Sequence, residues 1–142
     1  MAGTFDEIEV LPWSEVTNIH EELFQKQLDY VLGNSEFYRQ KYSGVARSSI
    51  TSLADISELP FTTKDDIRES LLALPPLGLH VAAPLDEIVQ IQSSSGTTGM
   101  PTFVAATSQD IETWNSMGAR VFYANGFRPR DWVMHAYAMG RG

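Results

Sequence analysis

The sequence predicts a mixed α/β fold in which amino-terminal helices precede a strand-loop-strand-helix-strand unit. Two observations carry this prediction. Apolar residues recur at three- and four-residue spacing in the first part of the chain, and β-branched segments flank a turn rich in glycine and hydroxyl groups in the second. The 142 residues have room for one domain, and a 43% hydrophobic content favours a packed core. We expect a mainly helical lead-in over residues 1–87 and a β/α segment over residues 88–142.

The first helix is predicted over residues 14–32. Ser14 is suited to accept hydrogen bonds from the free amides of the first turn, and Gly33 is suited to end the helix in a left-handed conformation. The apolar stripe that supports the helix consists of Val16, Ile19, Leu23, Phe24, Leu28, Val31 and Leu32.

Three shorter helices are expected to follow. Ser35 opens a piece whose aromatic residues, Phe37, Tyr38 and Tyr42, are expected to lie against the first helix. Capping-box patterns at residues 52–55 and 62–65 predict helices near residues 53–57 and 63–72. Two consecutive prolines at 75 and 76 then require a loop.

The β/α segment begins with a predicted strand at residues 88–92 and a second at residues 102–106, joined as in a hairpin. A cap at Thr107 predicts a helix that ends at Asn125-Gly126. Its apolar face consists of Ile111, Trp114, Gly118, Val121 and Phe122. The aromatic residues Trp114, Phe122 and Tyr123 are expected in a core or an interface. Residues 132–137 predict a last, buried strand with no helix after it to cover it, so we expect the chain to be a piece of a larger domain.

Composition excludes several classes of function. A net charge of −8 disfavours nucleic acid and anionic membranes as partners, and no apolar stretch is long enough to span a bilayer. The first ten residues lack the pattern of a secretory signal. The absence of cysteine excludes thiol catalysis and suits a cytoplasmic location.

The nonapeptide at residues 93–101 carries the most chemical information in the chain. Its two glycines allow backbone amides to converge on one point, and its five hydroxyl groups can donate to oxyanions, which suits a polyphosphate. Its spacing does not match the P-loop of NTPases, the dinucleotide-binding glycine pattern or the nucleophile elbow. A surface hairpin without a ligand remains the alternative.

Residues 94–101, Ser-Ser-Gly-Thr-Thr-Gly-Met-Pro, resemble the phosphate-binding signature of the adenylate-forming superfamily. Residues 59–68, Leu-Pro-Phe-Thr-Thr-Lys-Asp-Asp-Ile-Arg, resemble the segment that precedes this signature in phenylacetate-coenzyme A ligases. Residues 37–39, 126–131 and 135–137 extend the similarity, although Arg130 stands where that branch usually has glycine. The resemblance covers essentially the whole chain and the amino-terminal third of such an enzyme.

The resemblance implies a fragment of the large amino-terminal domain of an ATP-dependent aryl or acyl-coenzyme A ligase. Such an enzyme activates a carboxylic acid as an acyl adenylate, with Mg²⁺ and ATP, and transfers the acyl group to coenzyme A as co-substrate. The implied contacts to the phosphates are Ser94, Ser95, Gly96, Thr97, Thr98 and Gly99, and Tyr137 is implied near the acyl group. No catalytic residue is expected within the chain, which we expect to be inactive alone.

The chain departs from the family at Met100 and Thr102, where lysine is usual in one branch or in the wider superfamily. All three lysines, Lys26, Lys41 and Lys64, precede the loop, so ATP binding is expected to be weaker or to depend more on Mg²⁺ and on residues outside this chain. A stand-alone, non-catalytic module that binds a nucleotide or a partner is therefore the second hypothesis. Acyl hydrolysis by the serine cluster is a third.

Other residues receive structural interpretations. The histidines at 20, 80 and 135 are too dispersed for a metal site, and Asp65 and Asp66 are interpreted as helix-capping residues rather than paired catalytic acids. The acidic run at residues 6–9 is interpreted as a solvated tail, and Arg128 and Arg130 as partners in a surface salt bridge. Self-association through exposed apolar surface is possible.

Overall fold

The structure is a computed structural model that describes residues 3–94, 101–134 and 136. Four α-helices and one two-stranded sheet form its described part, and short 3₁₀ helices lie between them. The elements are α1 (Trp13–Asn34), α2 (Glu36–Lys41), α3 (Lys64–Ala73), β1 (Ile88–Ser93), β2 (Phe103–Thr107) and α4 (Ser108–Ala124). The 3₁₀ helices span Glu7–Val10, Arg47–Ser49, Leu53–Glu58 and Leu85–Glu87. The mixed α/β fold class is confirmed.

Helix α1 begins and ends slightly outside the predicted bounds. Its N-cap is Pro12, which makes no side-chain cap, so the prediction that Ser14 caps the helix was wrong. Proline suits this position because its missing N–H is one that the first turn leaves unpaired in any case. Gly33 is also inside the helix. The helix ends at Asn34, and the following residue, Ser35, donates its N–H to the Val31 carbonyl and caps α2 with its hydroxyl.

The aromatic residues of α2 divide between two sides of the helix. Tyr38 and Tyr42 join α1 residues around an apolar hollow of 390 Å³, as predicted. The ring of Phe37 instead lies edge-on to His80, with the ring centroids 6.4 Å apart. Helix α2 therefore contacts both α1 and the segment that leads to the sheet.

The predicted capping boxes are present, one of them displaced by a residue. Ser52 with Asp55 and Thr107 with Asp110 form the boxes that the sequence predicts. Helix α3 uses Thr63 and Asp66, so the prediction of Thr62 with Asp65 was wrong. The sequence repeats threonine and aspartate in adjacent positions, and both registers satisfy the same pattern.

Strands β1 and β2 form the predicted antiparallel hairpin. Ser93 pairs with Phe103, Ile91 with Ala105, and an irregularity in β1 lies between Ile88 and Gln90. Five of the six residues of β1 are exposed, whereas Ala106 of β2 is buried. The hairpin thus contacts the helices through β2 and leaves β1 uncovered.

The last predicted strand is not observed where the structure describes the chain. Helix α4 stops as predicted, with Gly126 at a φ of 94°. Residues 131–134 have no regular structure, and Trp132 is 100% exposed, so the prediction of a buried strand there was wrong. A strand needs a hydrogen-bonded neighbour, and the described sheet contains only β1 and β2. His135 and Tyr137 lie outside the described residues.

The acidic segment near the amino terminus packs against α4 and is not a free tail. Arg120 lies 3.2 Å from the Asp6 carboxylate and 3.1 Å from that of Glu9, and the Phe5 and Tyr123 rings are 5.8 Å apart. The prediction of a solvated run was wrong because the partner of these acids lies at the other end of the sequence. A local charge pattern does not reveal such a pairing.

The buried core is small in the described part of the chain. Its buried hydrophobic residues are Leu28, Ile50, Leu71 and Ala106. On α4, the aromatic side chains of Trp114 and Phe122 are exposed by 41% and 52%, so the expected core position is not found within this chain. The interface alternative for these residues stays a prediction.

Candidate functional site

The base of the hairpin is closed by three hydrogen bonds between Ser94 and Thr102. The Ser94 N–H donates to the Thr102 carbonyl at 2.9 Å. The Ser94 Oγ accepts the Thr102 backbone N–H at 3.1 Å and the Thr102 hydroxyl at 3.0 Å. These bonds continue the ladder by one pair beyond Ser93 and Phe103, so residues 95–101 connect two strand ends held in a fixed register.

This arrangement limits how Ser94 can contribute to a phosphate site. Its backbone N–H and both accepting positions of its hydroxyl are used within the hairpin, which leaves the hydroxyl hydrogen as its available donor. The other five predicted contacts, Ser95, Gly96, Thr97, Thr98 and Gly99, lie outside the described residues, as does Tyr137.

A cavity of 850 Å³ lies behind the hairpin. Its walls come from β2, from the start of α3 and α4, from α1 and from residues 80–83. Lys64 and Thr102 both line this space, although they are far apart in the sequence. The fold therefore brings one of the three lysines to the cavity that the hairpin base also lines.

His80 lies beside helix α3 and lines the cavity behind the hairpin. Its Nδ1 lies 2.9 Å from the Ser70 Oγ, which also accepts the His80 backbone N–H at 3.0 Å. Burial lowers the pKa of His80 below its ordinary value, because desolvation disfavours the charged ring, and the weaker influence of the Phe103 backbone acts in the opposite direction. The ring is therefore held mainly in its neutral form near neutral pH.

The backbone around His80 is fixed from several sides. The Leu79 carbonyl accepts hydrogen bonds from the Ser35 hydroxyl at 3.1 Å and from the Phe37 N–H at 3.3 Å. Gly78 has a φ of 87°, and a Cβ at this position would lie 2.6 Å from the His80 Nδ1 and 2.9 Å from the Ser70 Oγ. Only glycine fits here without displacing the histidine.

Lys41 and Asp66 tie α2 to the start of α3. The Lys41 Nζ lies 2.8 Å from the Asp66 carboxylate, which also accepts the Thr63 N–H and hydroxyl. The bond from Lys41 and then those from Thr63 lower the pKa of Asp66 to about 2. Asp65 pairs with Arg68 at 2.7 Å instead. The two aspartates are structural, as the sequence indicated, and do not form a catalytic pair.

Two further ionisable groups have shifted pKa values. The bonds from the Thr51 and Ser52 amides lower the pKa of Asp55, which completes its capping role. Burial, with a smaller contribution from Tyr38, raises the pKa of the Tyr42 hydroxyl. Neither group lies at the hairpin base, so neither is a candidate for the chemistry of the loop.

The guanidinium group of Arg128 contacts an aromatic ring; its described contacts include no carboxylate side chain. This group lies 3.8 Å from the centre of the Tyr123 ring and donates to the Tyr123 and Phe127 carbonyls. The expected salt bridge is therefore absent from its described contacts.

Arg130 has a φ of 85°. This is the conformation that glycine adopts most easily, and glycine is the usual residue at this place in the family that the sequence resembles.

Within the ranges that the structure describes, no group of three or more histidine, aspartate or glutamate side chains is placed to hold a metal ion. No described helix is long and apolar enough to cross a membrane. The sequence did not reveal the contact between His80 and Ser70, because the two residues are ten positions apart and no local pattern links them.

Known proteins resemble this chain in sequence and in structure, although no family model matches it. Phenylacetate-coenzyme A ligase from Aromatoleum evansii is 34% identical over 140 residues, which are 97% of this chain and 31% of that enzyme. The enzyme of the same name from Pseudomonas putida is 38% identical over 115 residues, covering 80% of this chain and 25% of that enzyme. The chain thus spans about a quarter to a third of the length of these relatives.

Solved structures of 2-hydroxyisobutyryl-CoA ligase share the fold. One, in complex with 2-HIB-AMP and CoA in the thioesterification state, aligns with a TM-score of 0.79 and 33% identity, over 85% of this chain and 26% of that one. Another, in the postadenylation state with 2-HIB-AMP, aligns with a TM-score of 0.78. The chain belongs to the phenylacetate-coenzyme A ligase-like group of adenylate-forming acyl-coenzyme A ligases, of which it represents a part.

Proposed function

We propose that this chain is the phosphate-binding part of an ATP-dependent ligase that joins an aryl or acyl carboxylic acid to coenzyme A. The complete enzyme first forms an acyl adenylate and pyrophosphate from the acid and ATP. The thiol of coenzyme A then displaces AMP. Residues 94–99 hold the β and γ phosphates of ATP during the first step.

The observation that carries this proposal is the closed base of the hairpin. Ser94 and Thr102 lock the two strand ends, so the glycine- and hydroxyl-rich segment between them starts and ends at fixed points. A site that stabilises developing charge needs donors that are oriented before the reaction, because reorientation would cost free energy in the transition state. The relatives named as ligases, and a structural neighbour in complex with an acyl adenylate and CoA, support the same reaction.

The loop offers neutral donors and no cation of its own. Thr97 and Thr98 supply hydroxyl groups, and Gly96 and Gly99 allow amides to turn toward one anion. Lys64 is the described lysine that lines the same cavity as Thr102 at the hairpin base. Mg²⁺ normally supplies charge stabilisation in phosphoryl transfer. The described residues contain no group of three or more histidine, aspartate or glutamate side chains placed to hold it.

The experiment is acid-dependent exchange of labelled pyrophosphate into ATP by the complete ligase that carries this sequence. Replacing both Thr97 and Thr98 by alanine is expected to lower the exchange rate by about 100-fold, because donors to the transferred phosphates are lost. The matched control is Thr113→Ala on α4, whose hydroxyl bonds only to the Gln109 carbonyl of its own helix. An undiminished rate in the double variant would refute the assignment of the loop.

The isolated chain tests the alternative of a non-catalytic binding module. Titration with ATP and Mg²⁺ is expected to show no submillimolar binding, because other parts of the ligase complete the nucleotide site. Tight binding by a monomeric chain would favour the module and would contradict the proposal. The cytoplasmic location stays a prediction.

A further inference from the structure

The amino-terminal segment at residues 5–11 lies against the last turns of α4. The Phe5 and Tyr123 rings are 5.8 Å apart, and Asp6 contacts Arg120, which is 114 positions away in the sequence. Strand β2 leads directly into α4, so the sheet fixes the start of this helix. The amino-terminal segment supports its other end.

Two acids of this segment use both of their carboxylate oxygens. The Asp6 Oδ1 accepts the Ile8 N–H at 3.1 Å, and its Oδ2 accepts a hydrogen bond from Arg120 at 3.2 Å. The Glu9 Oε2 accepts the Phe5 N–H at 3.2 Å, and its Oε1 lies 3.1 Å from the Arg120 Nε. Each acid thus holds the shape of its own segment with one oxygen and binds α4 with the other.

One guanidinium group holds both acids. Asp6 pairs with the Nη2 of Arg120 and Glu9 with its Nε, so the loss of this one side chain breaks both ion pairs. The three side chains are 29% to 44% exposed. Ion pairs at such exposure contribute little free energy each and are screened by salt. This part of the attachment therefore depends on ionic strength.

The aromatic contact between the segment and α4 is incomplete. Phe5 is still 39% exposed beside the Tyr123 ring. The Tyr123 ring also lies 3.8 Å from the Arg128 guanidinium group, which donates a hydrogen bond to the Tyr123 carbonyl at 2.9 Å. Tyr123 is therefore anchored to the turn after α4 independently of the amino-terminal segment. The ion pairs of Arg120 are the contacts that decide whether the segment stays bound.

We propose that residues 5–11 form an ionic strap, a conformational device that docks on the last turns of α4 at low salt. The strap is released as one unit when the charges of Asp6, Glu9 and Arg120 are screened or removed. Release is cooperative because one guanidinium group serves both acids, and because each acid also holds the turn of the strap itself. Without the strap, the last turns of α4 lose a support and open more often. The inference goes beyond the proposed function and does not depend on it.

The test is hydrogen exchange of the full chain, measured by mass spectrometry at about 10 mM and about 1 M salt, between which the screening length falls from about 30 Å to about 3 Å. At high salt, exchange in residues 5–11 is expected to rise by about fivefold, the size expected from the loss of weak ion pairs. Exchange in residues 118–125 is expected to rise with it, whereas exchange in α1 stays constant.

Two variants separate the ion pairs from the local turn. Asp6→Asn with Glu9→Gln keeps an acceptor for each local N–H and removes both charges, and Arg120→Gln removes their common partner. Both are expected to show the high-salt exchange at low salt, with no further effect of salt. The controls make the same charge changes at exposed positions, Glu7→Gln in the strap and Lys26→Gln on α1, and should behave as the wild type. Wild-type exchange in both variants, or an equal rise in α1, would overturn the inference.

Discussion

The Ser94 Oγ accepts hydrogen bonds from both the backbone N–H and the hydroxyl of Thr102, at 3.1 and 3.0 Å. One side chain thereby closes the hairpin beneath the predicted phosphate contacts. The structure assigns this serine a supporting position at the entrance of the loop. The glycines and threonines that follow it remain the principal candidates for phosphate binding.

Replacement of Ser94 by alanine is expected to open the base of the hairpin. The loss of an acceptor for two donors lowers the free energy of unfolding by about 1 to 2 kcal/mol, because the Thr102 N–H and hydroxyl lose their partner. Urea unfolding of the chain followed by circular dichroism measures the change. Ser93→Ala, at an exposed neighbouring position in β1, is the control and is expected to have a smaller effect. Equal effects of the two substitutions would contradict the structural role of Ser94.

Asp66 is expected to make the stability of the chain depend on pH in the acid range. Its pKa is lowered from 3.8 to about 2 by Lys41 and Thr63, so the folded state binds this proton less readily than the unfolded state. Its stabilising contribution is therefore full above about pH 4 and is lost as the pH falls through about 2. Thermal midpoints measured across this window should fall less steeply for Asp66→Asn than for the wild type.

The control for this pH dependence is Asp65→Asn. Asp65 lies in the same helical turn, but its side chain is 79% exposed and does not cap the helix. Its removal should leave the slope of the wild-type curve nearly unchanged. A wild-type slope in Asp66→Asn would show that another carboxyl group is responsible.

Arg130→Gly is expected to stabilise the chain. A side chain at a φ of 85° is strained, whereas glycine adopts this conformation without a steric penalty. The expected gain is about 0.5 to 1 kcal/mol, after allowance for the greater entropy of glycine in the unfolded state. Chemical unfolding measures it, and Arg130→Ala, which keeps a Cβ, should give no comparable gain. A loss of stability in Arg130→Gly would mean that contacts of the arginine side chain stabilise the folded state by more than the strained backbone destabilises it.

The uncovered face of β1 is expected to make the isolated chain self-associate. Val89 and Ile91 are 59% and 54% exposed, and the described sheet has only two strands. Replacing both by threonine keeps the preference for a strand and removes apolar contact area. Light scattering after size exclusion should then show a shift toward monomer. Gln90→Thr with Gln92→Thr is the matched control, and a wild-type chain that is already monomeric would contradict the prediction.

The sequence determined the local elements because their signals are local. The stripe in α1, the cap at Thr107 and the alternation in β1 each depend on residues a few positions apart, and all three elements are present. The motifs at residues 59–68 and 94–101 also led to the correct family, to which relatives that are 34% and 38% identical to this chain belong. The errors at Ser14 and Gly33 were errors of boundary, because several residues there satisfy the same rule.

Only the tertiary structure decided which distant residues meet. It brought Arg120 to Asp6, Lys41 to Asp66, and His80 to Ser70. It also showed that residues 132–134 are exposed, although their composition suits a buried strand. The physical reason is that ion pairs, buried hydrogen bonds and strand pairing depend on separation in space. The sequence shows the chemical groups of each partner, but it does not show how far apart the partners lie in the folded chain.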